Sequence, residues 1–349
     1  MLYAGVSWHA GGYQLAVVGQ DGRRVPVPDA YPSHRAGELI AELGKLGDAL
    51  TVVVESTNGT LDGRMMAAGL RVHRADPWML PDRPLLGSIP AEELARASLR
   101  QATGLVPLEA HRGTQTGREG ELAAWIESSA SAERELTAVG RFFSHGSRDR
   151  RQVALTFDDG PLPPYTGRIL DILERYGIPA TFFCVGINAG GFAEDLTRMR
   201  EQGHAIGNHT WSHPFLPELS RPQLAEQINR TAEAIAEASR GGAPGLFRPP
   251  YGARTPQVMG WLSEFDATTV LWDVAPDDWA LRRAEAIARD VLADVRPGSV
   301  ILLHDGGGDR TPTVESLPLI IEGLLERGYE FVRVDDMLAH TGSGLAGAA

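Results

Sequence analysis

The chain has 349 residues, 43% of them hydrophobic and 22% charged, which suffices for one large domain with an appendage or for two domains. The formal net charge of −12 argues against a nucleic-acid partner, since nucleic-acid affinity rests on clustered cations, and against binding to a membrane surface. Cys184 is the single cysteine, so no intrachain disulfide can form, and we expect it to be a small buried hydrophobe.

Two features bear on cellular location. The first residues, MLYAGVSWHAGGYQL, lack the basic segment and the continuous apolar segment of an export signal. No apolar stretch approaches the length that spans a bilayer. With the single cysteine, these features predict a cytoplasmic protein without a membrane partner.

Residues 1–75 predict a small α/β domain. Three apolar stretches, LYAGVSW, YQLAVVGQDGRRVPV and ALTVVVES, predict three or four strands, and helices are expected near 34–46 and 59–69. The Asp21-Gly22 pair favours the tight turn that joins two strands of a hairpin.

The segment VVVESTNGTLDGRMMAAGLRVHRADP loosely resembles the RNase H-like domain of the DEDD-type transposases. In that family the first strand carries an aspartate after Gly-Ile, whereas this chain has Gly5, Val6 and Ser7 there. Glu55 matches an acidic position of the family, but one carboxylate does not hold two metal ions. The resemblance therefore implies a non-catalytic domain that acts as a scaffold or binds a protein partner.

Residues 76–150 predict a helical connector. The stretches PAEELARASLRQATGL and REGELAAWIESSASAEREL are typical of amphipathic helices with acidic first turns, and Trp125 is expected to be a packing residue. A polar stretch at 144–151 precedes the second domain, and residues 341–349 are expected to form a flexible tail.

Residues 151–340 alternate between apolar strand patterns and helical patterns. Strands are predicted at 153–158, 180–185, 204–209, 246–251, 267–274, 299–305 and 330–334. Helices are predicted near 166–176, 191–202, 221–239, 255–264, 284–295 and 313–327. This alternation predicts parallel βα units, so a distorted (β/α) barrel of about seven strands is our first choice and an open doubly wound sheet the second. In either fold, chemistry belongs at the carboxyl ends of the strands.

Adjacent aspartates, Asp158 and Asp159, end the first of these strands in the sequence VALTFDDGP. Side chains on a strand alternate between faces, and neighbouring anions repel unless a positive charge lies beside them. Another predicted strand is followed by His209 and His213 in GNHTWSHP. Two imidazoles and one carboxylate suit a zinc ion and leave a position open for water, so a metal ion is expected here.

Three further strand ends carry polar or aromatic residues: FRPPYG, WDVAPDDW and ILLHDGG. Each has a bland alternative, such as a surface arginine for Arg248, a core aromatic for Trp279 or a hydrogen-bonded strand-end histidine for His304. Their coincidence with the Asp-Asp and His-x-x-x-His pairs at one edge of one sheet favours a catalytic site.

The stretches TFDDGP, HTWSH, RPPYG, DDW and LLH resemble, in order, the signature motifs of the carbohydrate esterase family 4 polysaccharide deacetylases, the NodB homology domain, over about residues 150–338. The resemblance implies a distorted (β/α) barrel, one divalent metal ion (zinc first) and hydrolysis of N-acetyl groups on amino sugars. It implies these roles: Asp159, His209 and His213 as metal ligands; Asp158 as general base; Arg248 as the residue that orients it; the Tyr251 backbone N–H at the oxyanion; Trp279, Leu302 and Asp278 at the substrate; and His304 as general acid.

Residue chemistry is consistent with these roles. A bound zinc ion lowers the pKa of water from about 16 to about 7, and a carboxylate can then take the proton of that water. An imidazole with an ordinary pKa of about 6.5 can protonate the poor amine leaving group near neutrality.

One position departs from the family. Its fourth motif is Asp-x-x-Asp-Trp, in which the first aspartate tethers the acid histidine, and this chain has Ala275 there. We therefore expect a lowered pKa and a looser orientation for His304, with Asp277 or Asp273 as substitutes.

The sequence thus predicts a metal-dependent hydrolase that removes N-acetyl groups from an amino-sugar substrate. One alternative is an amidohydrolase that acts on a non-sugar acetamide or a cyclic amide. Another is a catalytically weakened binding or scaffold protein, which Ala275 favours and the otherwise complete set of motif residues opposes.

Overall fold

The structure of the protein is a computed structural model. It describes residues 1–9, 11–55, 59–84, 87–100, 104–108, 119–280 and 282–342. In these residues the chain forms two α/β units, each built on its own sheet.

The N-terminal sheet combines an antiparallel hairpin with a parallel half. Its strands are β1 (Leu2–His9), β2 (Gly12–Gly19), β3 (Arg24–Val25), β4 (Ala30–Pro32), β5 (Leu50–Glu55), β6 (Val72–Ala75) and β7 (Val106–Pro107). Their order is β3-β2-β1-β5-β6-β7, with β4 beside β2. β5 runs parallel to β1, and β6 parallel to β5. The resemblance to the RNase H-like fold stays a prediction.

The helices of this unit are α1 (Ala36–Lys45), α2 (Gly59–Ala67) and α3 (Ala91–Arg100). α3 lies directly on β1, since a Cβ atom at Gly5 would be 1.8 Å from the Ala91 carbonyl oxygen. β7 also pairs with β6. The structure thus differs from the predicted boundary at residue 75, because β7 adds a strand to the N-terminal sheet and α3 packs on its β1 strand.

The second sheet is parallel throughout and curls into a barrel. Its strands are β8 (Phe142–Phe143), β9 (Gln152–Asp158), β10 (Thr181–Cys184), β11 (Ala205–Asn208), β12 (Leu246–Phe247), β13 (Thr268–Val270), β14 (Ser299–His304) and β15 (Glu330–Phe331). They follow the order β14-β9-β10-β11-β12-β13-β8, with β15 beside β9. A parallel bridge between Val274 and Ile301 joins the chain after β13 to β14. The predicted distorted barrel is confirmed, and β8 is a strand that the sequence did not predict.

Helices cover the outside of the barrel and precede it. They are α4 (Glu119–Ser128), α5 (Ala130–Ala138), α6 (Tyr165–Tyr176), α7 (Gly186–Gly191), α8 (Ala193–Glu201), α9 (Arg221–Ser239), α10 (Pro256–Leu262), α11 (Ala284–Asp294), α12 (Thr311–Glu326) and α13 (Val334–Gly342). Among the described residues, none of them has the length and apolar character that a membrane crossing requires.

Burial explains the apolar composition of the central strands. Every residue of β9 is buried, as expected for a parallel strand with both faces covered. The Phe157 ring stacks on the Phe182 ring of the neighbouring strand with 5.1 Å between centroids. Cys184 is fully buried in the same core, which confirms the prediction for this residue.

The two units share an apolar interface. Val185, Ile187 and Trp211 of the barrel unit belong to the same buried cluster as side chains of the N-terminal sheet. At one point the two backbones touch, because a Cβ atom at Gly63 would lie 1.5 Å from the Gly307 carbonyl oxygen. This contact places α2 beside the loop that follows β14.

Candidate active site

The adjacent aspartates face one cavity because the chain leaves the strand conformation between them. Asp158 ends β9, and Asp159 has a φ of 77°, in the left-handed region. On a regular strand the two carboxylates would point to opposite faces, whereas here both line the same cavity. Aspartate is among the residues that adopt this conformation most readily.

Asp159, His209 and His213 form a buried group whose ligand atoms all lie within 4.8 Å of one another. The Asp159 Oδ1 atom is 3.6 Å from His209 Nε2 and 3.2 Å from His213 Nε2. It has no hydrogen-bond partner among the described residues. A buried carboxylate oxygen without a donor, facing two imidazole nitrogens, fits a cation between them.

Burial keeps His209 and His213 neutral, and a hydrogen bond fixes the tautomer of His209, as metal binding requires. His209 Nδ1 lies 2.7 Å from the Arg248 carbonyl oxygen, which can only accept, so Nε2 carries the free lone pair. Burial lowers the pKa of His209 to about 4 and also lowers the pKa of His213, so both rings are neutral near pH 7.

The charges around Asp159 keep it ionised. Burial alone would raise its pKa, but at the acidic pH where a carboxylate titrates the surrounding histidines are protonated, and together with Arg310 they outweigh that effect and lower the pKa. The group therefore offers two neutral nitrogens and one anionic oxygen, the donor set that catalytic zinc sites use.

The second aspartate, Asp158, is held by a buried arginine. Arg248 Nη1 donates to Asp158 Oδ1 at 2.7 Å and to Thr156 Oγ1 at 2.8 Å. The guanidinium is fully buried, lies 4.0 Å over the Phe183 ring, and donates to two backbone carbonyls of the strand-end segment 270–271. The free Oδ2 atom of Asp158 is 3.6 Å from His209 Nε2, so this carboxylate borders the ligand group.

His304 is tethered by Asp278, contrary to the expectation drawn from Ala275. His304 Nδ1 lies 2.7 Å from Asp278 Oδ1, and Asp278 Oδ2 accepts from the His304 backbone N–H at 2.9 Å and from Thr313 Oγ1 at 2.8 Å. Burial opposes the charge on His304, but Asp278 outweighs it and raises the pKa of the imidazole. The expected fall in the pKa of His304 is therefore wrong.

Asp278 was also predicted to contact substrate, and the structure corrects this. The side chain is 1% exposed and its oxygens bond to His304 and Thr313, so it lies behind the histidine. Of the substitutes considered, Asp273 bonds to Arg148 and to the Val300 backbone N–H. No substitute is needed, because a helical turn at Asp278–Ala280 brings the second aspartate of the motif under His304.

The aromatic and aliphatic motif residues line the same cavity. Tyr251 lies with its ring 4.0 Å from that of Phe215 and 4.4 Å from that of His213. Trp279 and Leu302 line the cavity too, as predicted for the acyl pocket, while the role of the Tyr251 backbone N–H stays a prediction.

The cavity has a volume of about 310 Å³ and includes residues that the motifs did not reveal. They are Gly63, Met66 and Ala67 of α2, Leu122 and Ile126 of α4, Trp272, and residues 307–310 after β14. Only Arg310 had a local signal, a cation shortly after the predicted strand-end histidine. The α2 and α4 residues reach the site through tertiary packing, which no short pattern encodes.

Comparison with known proteins agrees with this geometry. A polysaccharide deacetylase family model matches residues 145–270. A peptidoglycan-N-acetylglucosamine deacetylase from Bacillus cereus is 38% identical over 215 residues, covering 61% of this chain and 74% of the relative. A chitooligosaccharide deacetylase from Bradyrhizobium sp. is 36% identical over 206 residues, which cover 56% of this chain and 94% of the relative.

Solved structures show the same similarity. The structure of a peptidoglycan N-acetylglucosamine deacetylase in complex with a naphthyl N-hydroxybenzamide aligns with a TM-score of 0.56 and 37% identity, covering 58% of this chain and 95% of the other. A wild-type CE4 family pseudoenzyme from Bacillus anthracis aligns with a TM-score of 0.53 and 26% identity, covering 56% of this chain and 68% of the other. From these matches and from the site geometry, the chain belongs to the polysaccharide deacetylase family.

Proposed function

We propose that this protein is a metal-dependent hydrolase that removes the N-acetyl group from an amino-sugar substrate. The observation that carries the proposal is the convergence on one cavity of the buried Asp159–His209–His213 group, of Asp158 and of His304. Each group has the partner that its role requires, and the named activities of the relatives are of this class.

Zinc is the metal that we propose for the group of Asp159, His209 and His213, because two neutral imidazoles and one carboxylate leave a coordination position open. When bound, the ion supplies Lewis-acid polarisation of the amide carbonyl and a water of lowered pKa. The hydrogen bond that His209 Nδ1–H donates to the Arg248 carbonyl oxygen keeps the ring in the orientation that ligation requires.

Asp158 is the proposed general base. Its Oδ1 atom is occupied by Arg248, so the proton of the attacking water goes to Oδ2, which lies on the side of His209. Arg248 fixes the orientation of the Asp158 carboxylate, and its charge offsets the repulsion between Asp158 and the adjacent Asp159. The backbone N–H of Tyr251 is the proposed donor to the oxyanion that forms from the carbonyl oxygen.

His304 is the proposed general acid. With Nδ1 bonded to Asp278, the ring offers Nε2–H to the amide nitrogen when it is protonated, and the raised pKa maintains that form near neutral pH. The carbon–nitrogen bond then breaks to give acetate and a free amine. Trp279 and Leu302 line the cavity where we place the acetyl methyl group.

Acetate release tests the proposal. We expect zinc-loaded protein to release acetate from N-acetylglucosamine or from its short β-1,4 oligomers, to lose this activity with a chelator and to regain it with zinc. The Asp158→Asn variant is the matched control, because it keeps the three ligands and removes the base.

Two outcomes would contradict it. Release of acetate that survives chelation would exclude the metal, and absence of release from every sugar, with turnover of a non-sugar acetamide or cyclic amide, would favour the alternative amidohydrolase. The scaffold alternative drew its support from Ala275, and that support is lost because Asp278 tethers His304. The cytoplasmic location and a protein partner for the N-terminal unit stay proposals, which cell fractionation and affinity capture test.

A further inference from the structure

We propose that α2 and α4 restrict the substrate to one N-acetylated sugar ring at a time, either a free amino sugar or the terminal unit of a short chain. This inference rests on the proposed function and adds the substrate class. It comes from the walls of the cavity, which the N-terminal unit and the helix before the barrel help to build.

One wall belongs to α2. Met66 and Ala67 line the cavity that holds the ligand group. Their helix is fixed against the barrel by backbone contact, since a Cβ atom at Gly63 would meet the Gly307 carbonyl oxygen at 1.5 Å and the Gly308 Cα atom at 3.4 Å. At Gly63, α2 therefore lies against the loop after β14 with no space for a sugar between them.

The other wall belongs to α4. Leu122 is buried in one apolar cluster with Phe215, and Trp125, Ile126 and Tyr251 pack against that cluster. The Trp125 and Phe215 rings are 6.2 Å apart between centroids. α4 is thus held against the segments that follow β11 and β12, and its Leu122 and Ile126 side chains also line the cavity.

The sheet order places these walls on opposite sides of the barrel mouth. The ring of strands runs β14-β9-β10-β11-β12-β13 and returns to β14 through the Val274–Ile301 bridge. In this ring β14 and β11 are three strands apart in either direction, so the loops that follow them face each other. An interior unit of a polysaccharide has a neighbouring sugar on both sides and needs a groove that is open at two ends.

Size and polarity agree with a single ring. The cavity of about 310 Å³ is at the lower end of the range of roughly 300–1,000 Å³ for small-ligand pockets. Its outer walls carry the apolar side chains of Met66, Leu122 and Ile126, which cannot bond to the hydroxyl groups of further sugars. They can pack on the apolar face of one ring whose acetamido group points to His209 and His213.

A substrate-length series tests the inference on the zinc-loaded full chain. The substrates are N-acetylglucosamine and its β-1,4 oligomers from the dimer to the hexamer, with acetate measured over time and the deacetylated position mapped by mass spectrometry. We expect kcat/KM to be as high for the monomer or dimer as for the hexamer, and every product to carry one free amine at a chain end. Amines at interior positions, or a kcat/KM that rises by more than about 10-fold from dimer to hexamer, would overturn the inference.

Enlarging the walls gives a second measurement. In the Met66→Ala/Ile126→Ala double variant we expect the ratio of pentamer to dimer kcat/KM to rise by about 10-fold, since each truncation removes steric exclusion of the second ring. Leu319→Ala is the matched control, because Leu319 is an exposed apolar residue of α12. A folded double variant with an unchanged ratio would contradict the inference, and if it does not fold the wild-type series decides.

The series also separates the two proposals. Release of acetate from long chains at interior positions overturns the one-ring inference and leaves the deacetylase function intact. Absence of release from the monomer and from every oligomer overturns the function, and the inference falls with it.

Discussion

The two units of this protein place buried carboxylates at equivalent positions and give them different partners. In the barrel unit, Asp159 follows a parallel strand and faces two histidines. In the N-terminal unit, Glu55 ends β5 and Asp76 follows β6, and both are buried. Their partners are guanidinium groups: Arg74 Nε is 2.6 Å from Asp76 Oδ1, and Arg83 Nε is 3.7 Å from Glu55 Oε2.

The difference shows that the partner of a buried strand-end carboxylate decides whether it can help to bind a cation. A guanidinium keeps its charge at all accessible pH values and has no lone pair to offer a cation, so it balances the charge of the carboxylate without creating a metal site. A buried imidazole is neutral and offers a lone pair, so it leaves the carboxylate without a donor and the pair open to a cation. Among the described residues, the one group of three suitable ligands lies in the barrel unit.

The largest expected effect on activity comes from replacing each of the adjacent aspartates, Asp158 and Asp159, with asparagine. Asp159→Asn removes the anionic ligand, so we expect both bound zinc and activity to be lost. Asp158→Asn leaves the ligands in place, so zinc should stay bound at about one equivalent while kcat falls by about 10²–10⁴-fold, the usual contribution of a general base. Metal analysis and acetate release on the same samples check this.

Glu55→Gln supplies the matched change in the other unit. It should leave bound zinc and kcat/KM unchanged, because the Glu55 carboxylate faces Arg83 and lies outside the catalytic cavity. A loss of zinc from the Glu55→Gln protein, or its retention in Asp159→Asn, would break the comparison between the two units.

The next effect concerns Arg248, the buried arginine that holds Asp158. Arg248→Met leaves Asp158 buried without its partner, so we expect the free energy of unfolding to fall by about 3–5 kcal/mol and acetate release to be lost. Denaturant unfolding followed by circular dichroism measures the first. Arg221→Met, which breaks an exposed pair with Glu264, should cost no more than about 1 kcal/mol. Equal losses in the two variants would contradict this account.

A smaller effect on kcat is expected from substitution of Asp278, which lies behind His304. Asp278 raises the pKa of His304, so Asp278→Asn should lower that pKa. A general acid works only when protonated, so the fall in kcat at high pH should begin at a lower pH, with about a 10–100-fold loss at neutrality. The pH dependence of kcat measures both. An unchanged pH dependence of kcat in Asp278→Asn would show that Asp278 does not set the pKa of His304 and would contradict this prediction.

The smallest expected effect concerns His204, a buried histidine outside the Asp159–His209–His213 group. It tests how burial of an imidazole changes the pH dependence of the free energy of unfolding. His204 is buried and accepts from the Ala180 backbone N–H through Nδ1, and burial lowers its pKa to about 4. Between that value and the ordinary value of about 6.5, the unfolded chain binds more protons than the folded chain. The free energy of unfolding should therefore fall as pH drops through this window, by up to about 1.4 kcal/mol per pH unit.

The His204→Asn variant checks this contribution. Asparagine keeps an acceptor near the position of Nδ1 but does not titrate, so its unfolding free energy should depend less steeply on pH between about 6.5 and 4. Identical pH slopes for the variant and the parent would show that His204 does not contribute.

The strands of the barrel and the candidate ligand residues could be predicted because they depend on short sequence patterns. Seven of the eight strands of the second sheet were predicted because each is a short apolar stretch between turn residues, and β9 is buried along its whole length. The ligand residues were predicted because parallel strands deliver their carboxyl ends to one edge. β8 was not predicted, since two residues, Phe142 and Phe143, carry no periodicity.

Other features depend on geometry that spacing does not encode. The family resemblance placed the tether of His304 at position 275, where this chain has alanine, and left Asp277 or Asp273 as substitutes. The turn after Pro276, with a φ of 52° at Asp277, instead brings Asp278 to the histidine. In the same way, Met66 and Leu122 reach the cavity only because two separate parts of the chain pack against the barrel. Short motifs predicted the polar residues that line the cavity, and tertiary packing determined their surroundings.

The backbone contact between Gly63 and Gly307 means that the two units cannot change independently at this point. A side chain at Gly63 would force one unit away from the other. A side chain at Gly307, which has a φ of 79°, would instead place its Cβ atom 2.6 Å from Asp159 Oδ2. A mutation at residue 63 can therefore be tolerated only with a compensating shift next to the catalytic carboxylate. Fusion of this barrel to a different N-terminal unit would require redesign of the contact around Gly307, so that the geometry beside Asp159 is kept.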